Sequence, residues 1–233
     1  MNIPAIILAG GLGTRLQSVV KDIPKPMAEV AGRPFLDWLL DDLHRQGIRE
    51  VILSVGYRQD VIRERYGNTY RGMAIRYSSE DKPLGTGGAL RQAMAMAGTE
   101  ALVLNGDTFF QVNLAALYSF YQSHAAAIAI ALKPMQQVDR YGTVTVNEDR
   151  VITSFNEKTY CENGLINGGV YVVSAAVFAD ASLPEVFSFE QEVLHRMVQG
   201  GRLFGFPQPG YFIDIGIPED YTKAQDDFSR FIH

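Results

Sequence analysis

Four short, almost uninterrupted apolar runs, at 3–9, 51–55, 101–105 and 127–132, are separated by segments with helical periodicity. Runs this continuous belong to strands covered on both faces, which is the condition of a parallel sheet wrapped by helices. Between the first two runs, Leu36, Leu39, Leu40 and Leu43 fall on one stripe of a helix at 35–46. Asp37, Asp41, Asp42 and Arg45 lie off that stripe, and Gly47 supplies a stop. Further helices are predicted at 58–66, 87–97, 113–124, 188–199 and 218–231. From about 133 the rhythm changes: 142–146, 151–155 and 169–173 read as strands without intervening helices. The expectation is an α/β fold in a single domain, 1–233. Its mixed, mostly parallel sheet is flanked by helices, and an α/β half, about 1–132, is continued by a β-rich half, about 133–233.

Composition narrows the function classes. A chain of 233 residues with 47% hydrophobic content suits one large domain, and the pattern shows no linker or repeat. The single cysteine, Cys161, excludes an intrachain disulfide framework and fits a reducing compartment. The first residues carry no basic segment, and the apolar run at 3–9 is too short for a signal or a membrane span. A soluble, cytoplasmic protein is expected, with no membrane partner. The net charge of −5 argues against nucleic acid as partner but leaves room for a phosphorylated small molecule, which needs only a few local cations. The oligomeric state stays open, a homo-oligomer included.

The first strand runs directly into Gly10-Gly11-Leu12-Gly13-Thr14-Arg15. Glycines there expose backbone N–H groups and let the chain wrap closely round a ligand, at the sheet edge where open α/β folds bind. Arg15 adds a planar, permanently charged fork suited to phosphate. Ten residues on, Pro24-Lys25-Pro26 presents Lys25 from a segment stiffened by two prolines. The loop satisfies neither the dinucleotide fingerprint, which needs glycine where Leu16 stands, nor the P-loop, which needs Gly-Lys-Ser/Thr. A tight turn is the alternative for the glycines alone.

Three more constellations stand out. Glu80-Asp81-Lys82-Pro83-Leu84-Gly85-Thr86-Gly87-Gly88-Ala89 leads into a helical run, with Thr86 as a candidate cap. Asp107 follows the strand at 101–105, and Asp214 sits among apolar neighbours in Tyr211-Phe212-Ile213-Asp214-Ile215-Gly216. Either aspartate alone reads as a turn or cap carboxylate; together they could share a hard cation. Phe155-Asn156-Glu157-Lys158 and Leu165-Ile166-Asn167-Gly168-Gly169 flank strands in the β-rich half, as does the turn Asp139-Arg140-Tyr141-Gly142. The histidines show no ligand spacing.

The combination Gly-Gly-x-Gly-Thr-Arg with Pro-Lys-Pro-Met resembles the sugar-phosphate nucleotidyltransferase family, over nearly the whole chain. The resemblance implies a Rossmann-like nucleotidyltransferase fold, a nucleotide-binding first half and a sugar-binding second half. It implies that Gly10, Gly11, Gly13, Thr14, Arg15 and Lys25 cradle a triphosphate, with Arg15 and Lys25 catalytic. It implies that Glu80, Gly85 and Gly88 meet the nucleobase, and that Asp107 and Asp214 hold Mg²⁺. Lys158, Glu157, Asn167, Tyr141 and Gly142 would then face the sugar phosphate. Within the family the chain looks most like guanylyltransferases that make GDP-heptose for bacterial surface polysaccharides, lipopolysaccharide or capsule. GTP and a heptose 1-phosphate are therefore the expected substrates. A uridylyl- or thymidylyltransferase is the near alternative, and a non-catalytic nucleotide sensor, from which loss of Lys25 or Asp107 would be expected, the distant one.

Overall fold

A computed structural model describes residues 3–11 and 23–230. Its strands in chain order are β1 (Ala5–Leu8), β2 (Glu50–Val55), β3 (Thr69–Tyr70), β4 (Met73–Ser79), β5 (Glu100–Asn105) and β6 (Thr108–Phe110). They continue with β7 (Ile128–Val138), β8 (Val144–Val146), β9 (Ile152–Phe155), β10 (Cys161–Ser174), β11 (Leu203–Pro207) and β12 (Phe212–Asp214). The helices are α1 (Phe35–Arg45), α2 (Gln59–Tyr66), α3 (Gly85–Ala97), α4 (Leu114–Ser123) and α5 (Pro218–Ser229).

Eight strands form one sheet in the order β11-β7-β10-β5-β1-β2-β4-β3. β1 lies at its heart, parallel to β2 and β5, with Ile6 opposite both Ile52 and Val103. Successive side chains of a strand point to opposite faces, so these apolar runs feed two cores. Ile7, Leu53 and Leu102 pack beneath α1 with Phe35, Leu39 and Leu43. Ile6, Ile52 and Val103 pack on the other face with Leu90, Ala93 and Met94 of α3. Each fully buried side chain of this size contributes roughly 1.5–3 kcal/mol. Trp38 is in the first core, donating its indole N–H to Val30 O at 3.0 Å and meeting the Phe228 ring of α5 at 4.8 Å.

The fold is the expected mixed, mostly parallel sheet with helices on both faces, and its departures from the sequence reading have simple causes. β4 was not anticipated because it alternates buried and exposed residues rather than running apolar throughout. β7 and β10 continue far past the apolar runs as an antiparallel arm, with Cys161 opposite Val138 at its end. The helix expected at 188–199 is instead a π-helical turn, Phe189–Leu194, followed by short α and 3-10 turns. Among the described residues no helix is long and apolar enough to cross a membrane.

Candidate functional site

The strands β1, β2, β4 and β5 are parallel, so their carboxyl ends share one edge of the sheet. Gly10, Gly56, Glu80 and Asp107 all follow directly from those ends. Glu80 ties two of the loops together. Its carboxylate accepts a hydrogen bond from Leu84 N at 2.8 Å, and a Cβ on Gly10 would fall 2.7 Å from its other oxygen. Burial pushes the Glu80 carboxyl up from its ordinary value. Gly11 is exposed with open space around it. Gly13, Thr14 and Arg15 lie outside the described residues.

Lys25 opens a single 3-10 turn, Lys25–Met27, whose Pro26 and Met27 are buried and anchor it. The ammonium donates to Asp107 Oδ2 at 3.0 Å, with the two side chains 18% and 32% exposed. Asp214 ends β12, which pairs with β6 so that Asp214 lies opposite Thr108, and Ile215 N donates to Asp107 O at 2.9 Å. Gly216 N donates to Asp214 Oδ1 at 2.7 Å, and a Cβ on Gly216 would lie 3.4 Å from Lys25 Nζ. Residues 25, 107 and 214, far apart in the chain, thus meet in one corner.

Burial, and then the charge of Asp107, push the Asp214 carboxyl above its ordinary value; Gly216 N–H and Lys25 pull the other way. Two partly buried carboxylates meeting in one corner are chemically suited to a hard cation. Among the described residues no group of three histidine, cysteine or acidic side chains could hold a metal by itself. Two carboxylates in one corner could supply part of the oxygen ligands of a hard cation, with water or phosphate supplying the rest.

On the other side of Asp107, β10 brings in Asn167-Gly168-Gly169, where its pairing with β7 shifts register. Gly169 has φ +70°, and its Oδ1 neighbour Asn167 accepts its N–H at 3.0 Å. Asn167 Nδ2 donates to the Tyr171 hydroxyl at 2.9 Å. Gly168 is compelled by space: a Cβ would sit 2.3 Å from the Phe110 ring. Tyr141 reaches Asp220 Oδ2 at 3.5 Å, and Arg140 donates to Asp220 Oδ1 at 3.0 Å. Burial, then the charges of Asp214 and Asp220, hold the Tyr141 hydroxyl in its protonated form far above its ordinary range. A Cβ on Gly142 would fall 2.5 Å from Asn156 O, so this turn lies against the segment that carries Glu157 and Lys158. Both of those side chains are exposed, and no hydrogen bond or ion pair joins either to the Lys25–Asp107 corner among the described residues.

The glycines of the second loop pack closely against protein backbone. Gly85, at φ +71°, would place a Cβ 2.5 Å from Phe187 O, and Gly88 would place one 2.6 Å from Glu185 O. Protein backbone fills the close approach that these glycines allow. The Thr86 reading is also corrected: α3 starts two residues earlier than expected, at Gly85, and the Thr86 hydroxyl instead accepts Phe189 N–H at 2.9 Å. Sequence reasoning missed Asp220, buried behind Tyr141, because an acid in the first turn of a helix is ordinary. It also missed Tyr171, which no local motif marks.

The arrangement can hold two anionic groups side by side, with a lysine and a carboxylate pair between them. The chain is 48% identical over 229 residues, 98% of its length and 99% of the relative's, to D-glycero-alpha-D-manno-heptose 1-phosphate guanylyltransferase of Aneurinibacillus thermoaerophilus. It is 48% identical to the Campylobacter jejuni protein of the same name over 220 residues, 93% of this chain and 96% of that one. The crystal structure of HddC from Yersinia pseudotuberculosis complexed with GMP-PN superposes with a TM-score of 0.86 at 36% identity, covering 97% of this chain and 99% of that one. Residues 4–230 match the nucleotidyl transferase family profile, and with the sheet edge, the lysine and the aspartates in place the chain belongs to that family.

Proposed function

We propose that this protein transfers a guanylyl group from GTP to D-glycero-α-D-manno-heptose 1-phosphate, releasing pyrophosphate and forming GDP-heptose. The observation that carries the transfer reaction is the corner in which Lys25 meets Asp107 beside Asp214 at the carboxyl edge of the parallel strands. Guanine and heptose are taken from the names of the two full-length relatives at 48% identity.

The attacking group is an oxygen of the sugar 1-phosphate. A phosphate monoester has its second pKa near ~6, so at neutral pH it is already largely a dianion and needs no general base. The obstacle is repulsion between this nucleophile and the triphosphate. Lys25 sits where it neutralises charge at the α-phosphate, and Asp107 fixes its ammonium at 3.0 Å. In this reading Asp107 and Asp214 hold Mg²⁺, which supplies charge neutralisation to the phosphates when bound. Gly10, Gly11, Gly13, Thr14 and Arg15 would bind the triphosphate, and Glu80, with Gly85 and Gly88 at the start of α3, would meet the nucleobase. Asn167, Tyr141, Gly142, Glu157 and Lys158 would face the sugar phosphate. The product would feed surface polysaccharide synthesis from the cytoplasm.

The test is a grid of GTP, ATP, CTP, UTP and dTTP against heptose, mannose and glucose 1-phosphates with Mg²⁺, scored for pyrophosphate. GTP with the heptose 1-phosphate is expected to give the highest kcat/KM. A preference for UTP or dTTP, or no pyrophosphate from any pair, would defeat the assignment.

A further inference from the structure

Asp220 is a buried charge that the reaction proposed above does not use. It lies in the first turn of α5, which begins at Pro218, just past Asp214. A carboxylate removed from water needs partners that compensate it. Those of Asp220 are two consecutive residues of the sugar-side turn. Oδ1 accepts from Arg140 at 3.0 Å, and Oδ2 stands 3.5 Å from the Tyr141 hydroxyl. The first contact is a charge-assisted bond; the second is long and adds little by itself.

The next turns of α5 hold a different wall of the cleft. The Tyr221 hydroxyl donates to Glu29 O at 2.6 Å, and the Gln225 amide donates to the same oxygen at 2.7 Å. Gln225 also accepts the Ala31 N–H at 2.9 Å. Glu29 and Ala31 come soon after the 3-10 turn that presents Lys25. One helix therefore follows Asp214 in the chain, grips the segment behind Lys25, and reaches the turn at 139–142.

That turn bears on both sides of the corner. The Tyr141 ring meets Phe212 edge-on at 5.8 Å, and Phe212 lies two residues before Asp214, on the same face of β12. Phe212 meets Phe110 at 5.8 Å, the ring that excludes a side chain at Gly168. On its far side the turn abuts Asn156, whose N–H donates to Thr143 O at 2.8 Å, next to Glu157 and Lys158. A shift of the turn would move these walls together.

Resting on the function proposed above, we infer that Asp220 is a positioning residue that latches the turn at 139–142 to α5 and so sets the spacing between the sugar-side wall and the corner of Lys25, Asp107 and Asp214. It acts through Arg140 and Tyr141 rather than by touching substrate. A buried charge suits this task because its bond to Arg140 selects one placement of the turn, where apolar packing would tolerate several.

The test compares the full-length protein with Asp220→Asn, Arg140→Gln and the double variant, using GTP and the heptose 1-phosphate with Mg²⁺. Each single variant is expected to raise the KM for the sugar phosphate roughly 10-fold, within the ~100-fold that a misplacement of about 1 Å can cost. The KM for GTP should not change. The double variant should be no worse than the worse single, because both changes open one latch. A merely structural role would lower Tm and leave both KM values in place below the unfolding transition. Arg140 is 47% exposed at its side chain, so Arg140→Gln carries the test even if Asp220→Asn fails to fold. An unchanged sugar-phosphate KM in Arg140→Gln, a parallel rise in both KM values, or effects that multiply in the double variant would overturn the inference, while wild-type turnover leaves the proposed reaction standing. Absence of turnover by the wild type would overturn both.

Discussion

Replacing Lys25 by alanine separates a reacting cation from a structural one. The ammonium lies 3.0 Å from Asp107 Oδ2 in a pair that is 18% and 32% exposed. A partly solvated pair of this kind contributes about 1 kcal/mol or less to folding. For a chain of this length that corresponds to a fall in Tm of about 2–4 °C. If the same group neutralises charge that develops at the α-phosphate, its loss costs about 2.7–4 kcal/mol of barrier, or roughly 10²–10³ in kcat. The two scales differ enough to be read independently. Losing the lysine also leaves Asp107 and Asp214 facing one another with less opposing charge, so the already raised Asp214 value rises further. Activity that needs both carboxylates ionised should then be recovered at high pH and lost sooner on acidification, with the acid limb of the rate profile moving upward. The assay is pyrophosphate release at saturating GTP and sugar phosphate across pH, with thermal unfolding in parallel. A kcat within about threefold of wild type would refute the reasoning, since no phosphate neutralisation could then be assigned to Lys25. So would a loss of activity that simply tracked a large fall in Tm.

Other substitutions probe different parts of the account. Asp214 has a raised value in the folded chain, so proton binding favours folding: its contribution is fully present below the unfolded value and is lost as pH rises through the folded one. Asp214→Asn should therefore raise the Tm of the ligand-free protein at neutral pH while turnover collapses; a lower Tm in scanning calorimetry would contradict this. Asp37 is 5% exposed and accepts from Arg65 at 2.7 Å and the Tyr66 hydroxyl at 2.6 Å. Asp37→Ala should cost about 3 kcal/mol in urea unfolding, with kinetic constants preserved below the transition. Gly85→Ala combines φ +71° with a Cβ 2.5 Å from a carbonyl that cannot yield cheaply. It should destabilise by about 1–3 kcal/mol and raise the KM for GTP, as measured by denaturant midpoint and initial rates.

The sheet was legible because its central strands are buried on both faces and must be apolar throughout, as Ile6, Ile52 and Val103 are. The antiparallel arm was not, because β7 beyond Leu132 carries Lys133, Gln136 and Gln137, which solvent tolerates. Lys25 and Asp107 could be found because prolines and a strand end single them out, and the fold does bring them together. Gly85 and Gly88 carried an ambiguous signal. A glycine reports a close approach without reporting by what, and here backbone at 185–187 makes that approach. Asp220 left no local mark: it owes its place to contacts 80 and 79 residues away with Arg140 and Tyr141.

Diffraction from crystals grown with GMP-PN and Mn²⁺, collected at the manganese edge, tests the central claim most directly. An anomalous peak is expected within ligand distance of both Asp107 and Asp214, on the phosphate chain, with Lys25 against the same phosphates and the base at the Glu80 loop. A peak away from both aspartates, or a nucleotide seated at another edge of the sheet, would contradict the assignment of this corner as the place of transfer.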